Sequence, residues 1–414
     1  MEMQPLKSVV SYNDDTLPES TDVSTPIRYL EISDVSETEG IRSVGEITFG
    51  EAPSRARRVL RCGDVVVSTV RTYLRAVAGV HPEHDGLIAS TGFAVLRARR
   101  VDERFLKYAV LDRDFMDQVV ARSTGVSYPA INASDLVRIQ IPVPPRATQR
   151  TVADYLDRET SQIDAFVAKN VELIALLAER LGRVVDDVMA ELGFAQSEVL
   201  AISQGHPLPE PWRIIPLGSL LNQLTNGYVG PTRDILVEDG IRYIQGTHIK
   251  GGKIDFARRP FYVSKRWHDE RPRIHLREGD VLIVQTGDIG KVAVVPADFG
   301  EASCHALQIA RVNRSIVDPQ FLGAYLSSQF GYHQLKSRAT GALHLHLEAS
   351  IKSAPVVVPP LPVQVQIVDK VRQRRLKIDE AIATAEKMIA LSKERRAALI
   401  SAAVSGKIDV GVAA

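Results

Sequence analysis

Residues capable of catalysis are present in the chain, but they do not stand at the spacings that common catalytic motifs require. The 414 residues contain no GxxxxGKS or GxxxxGKT phosphate loop, no GxGxxG, no HExxH and no GxSxG. They also lack the Asn-Pro-Pro-aromatic tetrapeptide with which amino-methyltransferases hold a flipped base. We therefore expect that this chain is not an enzyme.

The nearest approach to a metal cluster is the pair His344 and His346, followed by Glu348. On a strand these side chains would share one face, and all are zinc-ligand types. An internal repeat, described below, has Tyr128 and Ala130 at about the same place, so a metal function common to both halves is not expected. A polar or DNA-contacting strand is the favoured interpretation, and a metal site is the alternative.

Cysteine content and charge restrict the remaining classes. Cys62 and Cys304 are too far apart in sequence, without a CxxC, for a disulfide framework or a zinc knuckle, and both are expected in the core. The net charge is +1, so a nucleic-acid partner would require basic residues gathered on particular faces. No apolar run approaches eighteen residues and the N-terminus has no signal-peptide order, which favours a cytoplasmic protein.

Basic residues do gather in both halves of the chain. They are Arg55, Arg57, Arg58, Arg61, Arg97, Arg99 and Arg100 in the first half, and Arg258, Arg259, Lys265, Arg266, Arg271, Arg273 and Arg277 in the second. A solvated face is the default interpretation of such runs. A DNA-binding face is the alternative, in which phosphate contacts supply affinity and base-edge contacts supply sequence choice.

The elements that must position these residues repeat at about half the length of the chain. Residues 60–66, LRCGDVV, recur as LREGDVL at 276–282, and Thr124-Gly125 recurs as Thr340-Gly341. After a slip of one residue, Pro144-Pro145 recurs as Pro359-Pro360. This period is too long for a solenoid, so the sequence predicts a duplicated two-part unit, A–B–A′–B′.

The A parts are predicted to be α+β globules. Short β-branched runs between Gly, Pro and Asp predict strands at Val65–Val67, Ala76–Ala78, Phe93–Leu96, Val281–Val284 and Val292–Val295. Apolar residues near 3.6 spacing predict one helix in each part, over Glu103–Arg122 and over Pro319–Arg338.

The B parts carry coiled-coil seams in which mostly apolar residues, interrupted by a few polar ones, alternate at steps of four and three. The first seam is Leu156, Thr160, Ile163, Val167, Asn170, Ile174, Leu177, Leu181, Val184 and Val188, and the second is Val371, Arg375, Ile378, Ile382, Ala385, Ile389, Ser392, Arg396, Leu399 and Ala403. The paired prolines block helix upstream, and Gly193 and Gly406 stand where C-terminal caps are expected. Pairing of the two helices with each other is favoured over packing of each on its own globule. The heptads do not determine whether the two helices pair in parallel or antiparallel orientation.

The predicted organisation follows from these features. It comprises a first α+β domain at 1–143, a coiled-coil helix at 144–193, a linker at 194–209, a second α+β domain at 210–357, and a second helix with its tail at 358–414.

This order of segments resembles the specificity subunit of type I restriction-modification enzymes, over nearly the whole chain. In the second half the resemblance rests on Gly279-Asp280, on Thr340-Gly341, on the run 356–362 with Gln364 behind it, and on the ending at 393–408. In the first half it rests on Gly63-Asp64, Thr124-Gly125, Pro144-Pro145, Gln149, Ile163 and Asp164.

The resemblance implies an α+β fold with two α/β target-recognition domains, each followed by a long helix, and the two helices paired antiparallel in a pseudo-twofold arrangement. It implies a subunit that reads a bipartite sequence in double-stranded DNA. It further implies docking of two methyltransferase (modification) subunits and two motor-nuclease (restriction) subunits. Adenosylmethionine, ATP and magnesium would be bound by those partners, and this chain would bind no cofactor.

The residues expected at these interfaces fall into two sets. The DNA-binding set is Arg71, Tyr73, Arg75, Thr124, Gly125, Ser127, Tyr128, Gln285, Thr286, Lys291, Lys336, Arg338, Thr340, Gly341, His344 and His346, and the partner-binding set is Gln149, Asp164, Gln364, Asp379 and Arg395. Two alternatives remain open. One is a coiled-coil scaffold without DNA affinity, and the other is a single-chain nuclease or methyltransferase with an unrecognised centre.

Overall fold

The computed structural model describes residues 2–36, 40–192, 210–257, 259–341 and 345–411. They form two compact units. The first unit comprises Met1–Leu173 and Thr384–Ala414, and the second comprises Ile174–Ala383. Each unit therefore takes its globular part from one half of the sequence and helical segments from both halves. The predicted linker at 194–209 and the predicted cap at Gly193 lie outside the described residues, and the domain boundaries stay predictions.

The first unit is a mixed α/β structure. Its strands are β1 (Met3–Pro5), β2 (Val10–Tyr12), β3 (Pro26–Leu30), β4 (Val35–Ser36), β5 (Gly40–Ile41), β6 (Gly45–Thr48), β7 (Ala56–Val59), β8 (Val65–Ser68), β9 (Val77–Gly79), β10 (Ile88–Ser90), β11 (Phe93–Ala98) and β12 (Gln140–Pro142). Its helices are α1 (Glu103–Leu111), α2 (Arg113–Ala121), α3 (Ala133–Leu136) and the first part of α4 (Arg146–Glu191). One four-stranded sheet has the order β2-β11-β8-β9, and another has the order β6-β3-β10-β7.

Strand β8 contributes side chains to two hydrophobic cores, one on each face of its sheet. All four of its residues are buried, although a half-buried strand would alternate. Val65 and Val67 pack in the core that contains the helices, whereas Val66 packs in the separate core with Leu30 and Ala89 of the other sheet. Because successive side chains point to opposite faces, the strand needs apolar residues at every position to fill both cores.

The second unit is also a mixed α/β structure. Its strands are β13 (Arg213–Pro216), β14 (Leu221–Asn226), β15 (Leu236–Val237), β16 (Ile241–Ile244), β17 (Ile249–Lys250), β18 (Lys253–Ile254), β19 (Tyr262–Val263), β20 (Val281–Val284), β21 (Val292–Val294), β22 (Ala302–Cys304), β23 (Leu307–Val312) and β24 (Pro355–Val358). Its helices are α5 (Lys265–Asp269), α6 (Pro319–Ser327), α7 (Gln329–Lys336), the second part of α4 and the first part of α8 (Leu361–Val404). The sheet orders are β14-β23-β20-β21 and β15-β19-β16-β22. Residues of β20 again alternate between two cores.

The predicted single helices over Glu103–Arg122 and Pro319–Arg338 are wrong, because each stretch is two helices. The first breaks at Asp112, whose backbone is non-helical (φ −57°, ψ 137°) and whose carboxylate accepts a hydrogen bond from Ser401 Oγ at 2.5 Å. The second breaks at Ser328, whose Oγ accepts from the Gly331 N–H at 3.1 Å. Asp and Ser are favoured at helix N-caps, and both residues occupy the N-cap position of the helix that follows, but only Ser328 caps it with its side chain.

Both long helices begin just after a proline pair, as predicted. Every described residue of the α4 and α8 seams is buried or half-buried. At the end of α8, Gly406 has φ +71°, its N–H donates to the Ala403 carbonyl at 3.1 Å, and the Lys407 N–H donates to the Ala402 carbonyl at 2.8 Å. This is the Schellman motif that a glycine after a helix predicts. Within the described part of the chain, no helix is sufficiently long and apolar to cross a membrane.

Candidate nucleic-acid interface

The repeated Gly-Asp motif builds a turn that precedes the strand leading to each candidate interface segment, β8 in the first unit and β20 in the second. Gly63 and Gly279 have φ +86° and +80°, which favour glycine. In the first unit the buried Asp64 carboxylate accepts from the Arg61 N–H at 2.8 Å and from Arg97 Nε at 2.8 Å. Burial raises the pKa of the equivalent Asp280 carboxyl, although its contacts with backbone and arginine oppose this.

Half of the basic residues in the predicted clusters form ion pairs with carboxylates of their own unit, as solvated surface residues commonly do, and their role as a DNA-binding face stays a prediction. The pairs are Arg55 with Glu31, Arg61 with Asp15, Arg97 with Asp64 and Asp15, Arg99 with Asp14, Lys265 with Glu301 and Asp269, and Arg266 and Arg271 with Glu270. Arg58 is partly buried, and that burial lowers the pKa of its guanidinium. Charge counted along the sequence therefore overstates the charge available to a partner.

Two adjacent segments of the first unit bring its predicted DNA-binding residues together. Residues 70–75 follow β8, and residues 124–130 follow α2. The two segments are joined by a β-bridge between Val70 and Ala130, and by the Arg71 N–H, which donates to the Pro129 carbonyl at 2.8 Å. We call residues 70–75 and 124–130 the first loop pair.

The first loop pair presents apolar and aromatic side chains to solvent. Val126 is fully exposed, and Tyr73, Leu74 and Tyr128 are between 47% and 62% exposed. Sequence reasoning selected Tyr73 and Tyr128 but missed Leu74 and Val126, because loop exposure has no signature in apolar spacing. Burying such side chains against base edges or thymine methyl groups would be favourable.

Backbone geometry holds this loop pair in a fixed shape. Arg71 and Arg75 have φ +53° and +49° on either side of a short 3-10 turn at Thr72–Leu74. Thr72 is buried, and its hydroxyl is 2.7 Å from Ser123 Oγ. Gly125 has φ +108°, a conformation that side chains rarely adopt, and a Cβ there would lie 3.1 Å from the Tyr128 carbonyl oxygen. Arg75 forms an ion pair with Asp117.

The second unit has a corresponding loop pair, residues 286–291 and 340–346. Thr286 and Thr340 each form a β-bridge with His346, as Val70 and Thr124 do with Ala130 in the first unit. His346 is exposed, and Gly341 has φ +107°. His344 lies outside the described residues. The bridges therefore bring Thr286, Thr340 and His346 together, and the contact of these residues with DNA stays a prediction.

The remaining predicted DNA-binding residues of the second unit are less available. Gln285 is buried, and its side-chain oxygen accepts from Gln308 Nε2 at 3.2 Å, so its placement at an interface is wrong. Lys291 pairs with Asp288 at 2.6 Å. Lys336 lies over the Tyr332 ring, and Arg338 donates to Gln334 and Ser353.

The structure bears on the alternative of a metal site and on the expected burial of the two cysteines. Among the described residues, no group of three or more His, Cys, Asp or Glu side chains could hold a metal ion. Cys62 is exposed, which corrects its expected place in the core, because it lies in the Gly-Asp turn. Cys304 is buried, and burial raises the pKa of its thiol.

Gln149 and Gln364 are not available to a partner, contrary to expectation. Both are buried. The Gln149 side chain accepts from the Asp102 N–H at 2.7 Å and donates to the Pro144 carbonyl at 2.8 Å. Gln364 makes the equivalent contacts with the Asp318 N–H and the Pro359 carbonyl, both at 2.8 Å. Each glutamine thus joins the start of a long helix to the globular part of its own unit.

The other predicted partner-binding residues lie on the helix surfaces. Asp164 pairs with Arg396 at 3.1 Å, and burial raises the pKa of the Asp164 carboxyl against the opposing effect of that arginine. Asp379 pairs with Lys253 at 3.2 Å. Arg395 is exposed.

A groove between helix and sheet occurs in each unit and was not predicted. In the first unit it has a volume of about 660 Å³ and is lined by β9, α1 and α4, including Lys107 and Asp157. In the second unit a groove of about 660 Å³ is lined by the equivalent elements β21, α6 and α8, including Val294 and Arg375. Burial lowers the pKa of the Arg375 guanidinium, which donates to the Gly251 carbonyl at 3.2 Å.

Comparison with known proteins agrees with this architecture. Residues 210–382 match the family model of the type I restriction modification DNA specificity domain. The type I restriction enzyme EcoBI specificity subunit of Escherichia coli is 26% identical over 288 residues, which cover 66% of this chain and 59% of that protein. The match thus spans about three-fifths of the length of this relative.

Solved structures extend the similarity to nearly the whole chain. A structure described as the structural basis of complex assembly and conformational transition of the type I R-M system shares 25% identity, with a TM-score of 0.69 and 98% coverage of both chains. The HsdS subunit from Thermoanaerobacter tengcongensis shares 26% identity, with a TM-score of 0.55 and coverage of 98% and 97%. In sequence and in fold the chain is therefore similar to type I restriction-modification specificity subunits, and its residues 210–382 match the DNA specificity domain of that family.

Proposed function

We propose that this chain reads a bipartite sequence in double-stranded DNA, with one loop pair contacting each half of the target. The observation that supports this most strongly is the recurrence of the same loop pair, bridged at equivalent positions, in both units. Exposed aromatic, cationic and hydroxyl side chains on a fixed backbone are suited to base edges in the major groove. Separate phosphate contacts would supply the sequence-independent part of the affinity.

The two long helices are proposed to pair antiparallel and to act as the spacer between the half-sites. In the first unit Asp164 of α4 pairs with Arg396 of α8, and in the second unit Glu191 of α4 pairs with Arg374 of α8. The residue number rises along α4 while it falls along α8, as an antiparallel pair requires. A rigid spacer makes the second half-site contact intramolecular, so two weak readers act as one strong reader.

The helices also carry the proposed docking surfaces for two methyltransferase and two motor-nuclease subunits. On α4, Val171, Leu173 and Leu176 are 44–57% exposed, and on α8, Leu376 and Leu391 are 54% and 49% exposed. Exposed apolar residues on a helix favour burial by a partner. In this proposal adenosylmethionine, ATP and magnesium are bound by those partners, and this chain supplies recognition alone.

Duplex binding measured with and without the methyltransferase subunit tests the proposal. We expect the chain alone to bind fluorescent duplex weakly and without sequence preference, with an affinity that falls steeply as salt rises. Addition of the methyltransferase subunit should produce methylation of one bipartite motif, read by genome-wide methylation mapping.

Two variants make this experiment specific. Replacing both Val126 and Tyr128 by Ala should abolish the preference for one half-site while the other half-site remains. The control is Arg138→Ala, an exposed residue paired only with Asp135 within the described structure. A chain that stabilises the complex but never alters DNA binding would support the scaffold alternative. Nuclease or methyltransferase activity of the chain alone would support the enzyme alternative.

A further inference from the structure

Arg71 differs from the other arginine of the first loop pair in what its guanidinium contacts. Arg75 is paired with the carboxylate of Asp117. The Arg71 guanidinium carbon lies 4.8 Å from the centroid of the Tyr128 ring, and its side chain is exposed. Among the described residues no carboxylate forms an ion pair with Arg71. Its charge and its N–H donors are therefore available to an external acceptor.

Stacking on Tyr128 orients these donors without using them. An arginine carries five N–H donors in the plane of the guanidinium. A carboxylate partner would occupy two of them, whereas an aromatic ring contacts only the face of the plane. The donor edge of Arg71 stays free, and the ring restricts the orientations of the plane. The guanidinium N–H donors of Arg71 would therefore be partly oriented before an external acceptor binds.

The backbone at Arg71 has a conformation that favours glycine. Its φ of +53° is a conformation that costs free energy for any residue except glycine. The equivalent residue of the second unit is Gly287, with φ +74°. The second unit thus has the residue that the backbone favours, and the first unit has an arginine at the same place.

We propose that Arg71, oriented by Tyr128, reads a guanine in the half-site contacted by the first unit. This rests on the proposed DNA-reading function. Guanine presents O6 and N7 in the major groove, and the arginine fork matches these two acceptors. Because Gly287 has no side chain, the contact has no equivalent in the second unit, so it distinguishes one half-site from the other.

A phosphate contact is the competing role for a free arginine, and it predicts a different result. Loss of a phosphate contact weakens binding to all sequences about equally, whereas loss of a base contact relaxes one position of the target. The experiment must therefore compare positions and not only total affinity.

The test uses the chain in complex with its methyltransferase subunit. Methylation mapping first gives the target, and synthetic duplexes then carry 7-deazaguanine, which lacks the N7 acceptor, at each guanine in turn. For the unaltered protein we expect one guanine in one half-site at which 7-deazaguanine weakens binding about tenfold. At every other guanine the effect should be smaller.

The main variant is Arg71→Gly, which the backbone accommodates because Gly287 already occupies the equivalent place. Binding to the unmodified target should fall about 10- to 100-fold. The variant should be insensitive to 7-deazaguanine at the critical position, and its methylated motif should relax at that position alone. Arg71→Gln should lose the preference for guanine and gain one for adenine, since glutamine matches adenine N6 and N7. Thermal melting checks that both variants fold.

Tyr128 variants test the orienting contact, and Arg138→Ala is the matched control. Tyr128→Phe keeps the ring and should keep the guanine preference, whereas Tyr128→Leu should weaken it. Arg138→Ala should behave as the unaltered protein. A target without guanine at any sensitive position, or a uniform loss of affinity in Arg71→Gly, overturns the proposal and leaves DNA reading intact. Absence of any sequence-specific methylation by the unaltered complex instead refutes the proposed function itself.

Discussion

Asp64 and Asp280 illustrate how a residue of a repeated motif can serve the fold and not a binding site. Each accepts from a backbone N–H three residues earlier, at 2.8 and 2.9 Å, which closes the turn around a left-handed glycine. Each also holds an arginine of the neighbouring strand, Arg97 or Arg311. The strand that follows the turn leads to the first or second loop pair, so the turn and its ion pair stabilise the start of the strand that carries the proposed DNA-contacting segment.

Removal of one of these carboxylates should be strongly destabilising. We expect Asp280→Ala to lower the free energy of unfolding by about 3–5 kcal/mol, because it leaves the Arg311 charge partly buried without its partner. Urea unfolding followed by circular dichroism measures this. The control is Asp369→Ala, which breaks an exposed pair with Arg372 in the same unit and should change stability by less than about 0.5 kcal/mol. Equal losses in both variants would contradict the structural role of Asp280.

Asp112 gives a prediction for pH dependence. Burial raises the pKa of its carboxyl above the ordinary value of 3.8, although Ser401 opposes this. The native state therefore binds the Asp112 proton more tightly than the unfolded state does. Stability contributed by this group is largest below the unfolded pKa and decreases as pH rises through the native pKa. Asp112→Asn should remove that decrease. Above the ordinary pKa of 3.8, the free energy of unfolding of the variant should therefore improve with rising pH relative to that of the unaltered protein. An unchanged pH profile would show that Asp112 titrates normally.

At the scale of elements, helix α4 has buried residues along its seam and exposed residues outside it. Val188 is fully buried in the core of the second unit, whereas Leu176 is 57% exposed on the same helix. We expect Val188→Asp to destabilise the chain by several kcal/mol, because an unpaired carboxylate would be buried. Leu176→Asp should leave stability nearly unchanged. Urea unfolding of both variants checks this, and similar midpoints would show that the seam does not pack.

The elements differ in how far sequence predicts them. The strands of the inner sheets and both long helices follow from periodicity, because β-branched runs and heptads have few other stable arrangements. The break at Asp112 was not predicted, since an aspartate in a helical pattern is usually a surface residue and its partner Ser401 is 289 residues away. The same limit explains Gln149, whose contact with Asp102 depends on tertiary packing.

The loops were predicted in position but not in detail. Thr124-Gly125 and its repeat marked the second segment of each loop pair, because a glycine at positive φ leaves a signal in sequence. The exposure of Val126 and the stacking of Arg71 on Tyr128 depend on the packing of residues 70–75 against residues 124–130. No local sequence pattern predicts that packing. In the first half of the chain the carboxylate partners of the basic clusters are also distant in sequence, as Asp15 is from Arg97, so those ion pairs were not predicted.

At the scale of the whole molecule, each long helix belongs in part to both units. Helix α4 passes from the first unit to the second after Leu173, and α8 passes from the second to the first after Ala383. A change of length near these points alters what connects the units while the loop pairs and their supporting turns stay as they are.

Helix length should therefore set the gap between the half-sites. Inserting four residues, Ala-Glu-Leu-Lys, after Asn170 adds about 6 Å of helix and about 40° of rotation. A matching insertion near Ala385 keeps the seam in register. One base pair adds about 3.4 Å and about 34° of duplex twist, so the rotation favours one added base pair and the rise favours two. We expect the doubly inserted chain, with its methyltransferase subunit, to methylate a motif whose gap is about one or two base pairs longer and whose half-sites are unchanged. Genome-wide methylation mapping decides this, because altered half-sites with an unchanged gap would mean that the helices do not set the spacing.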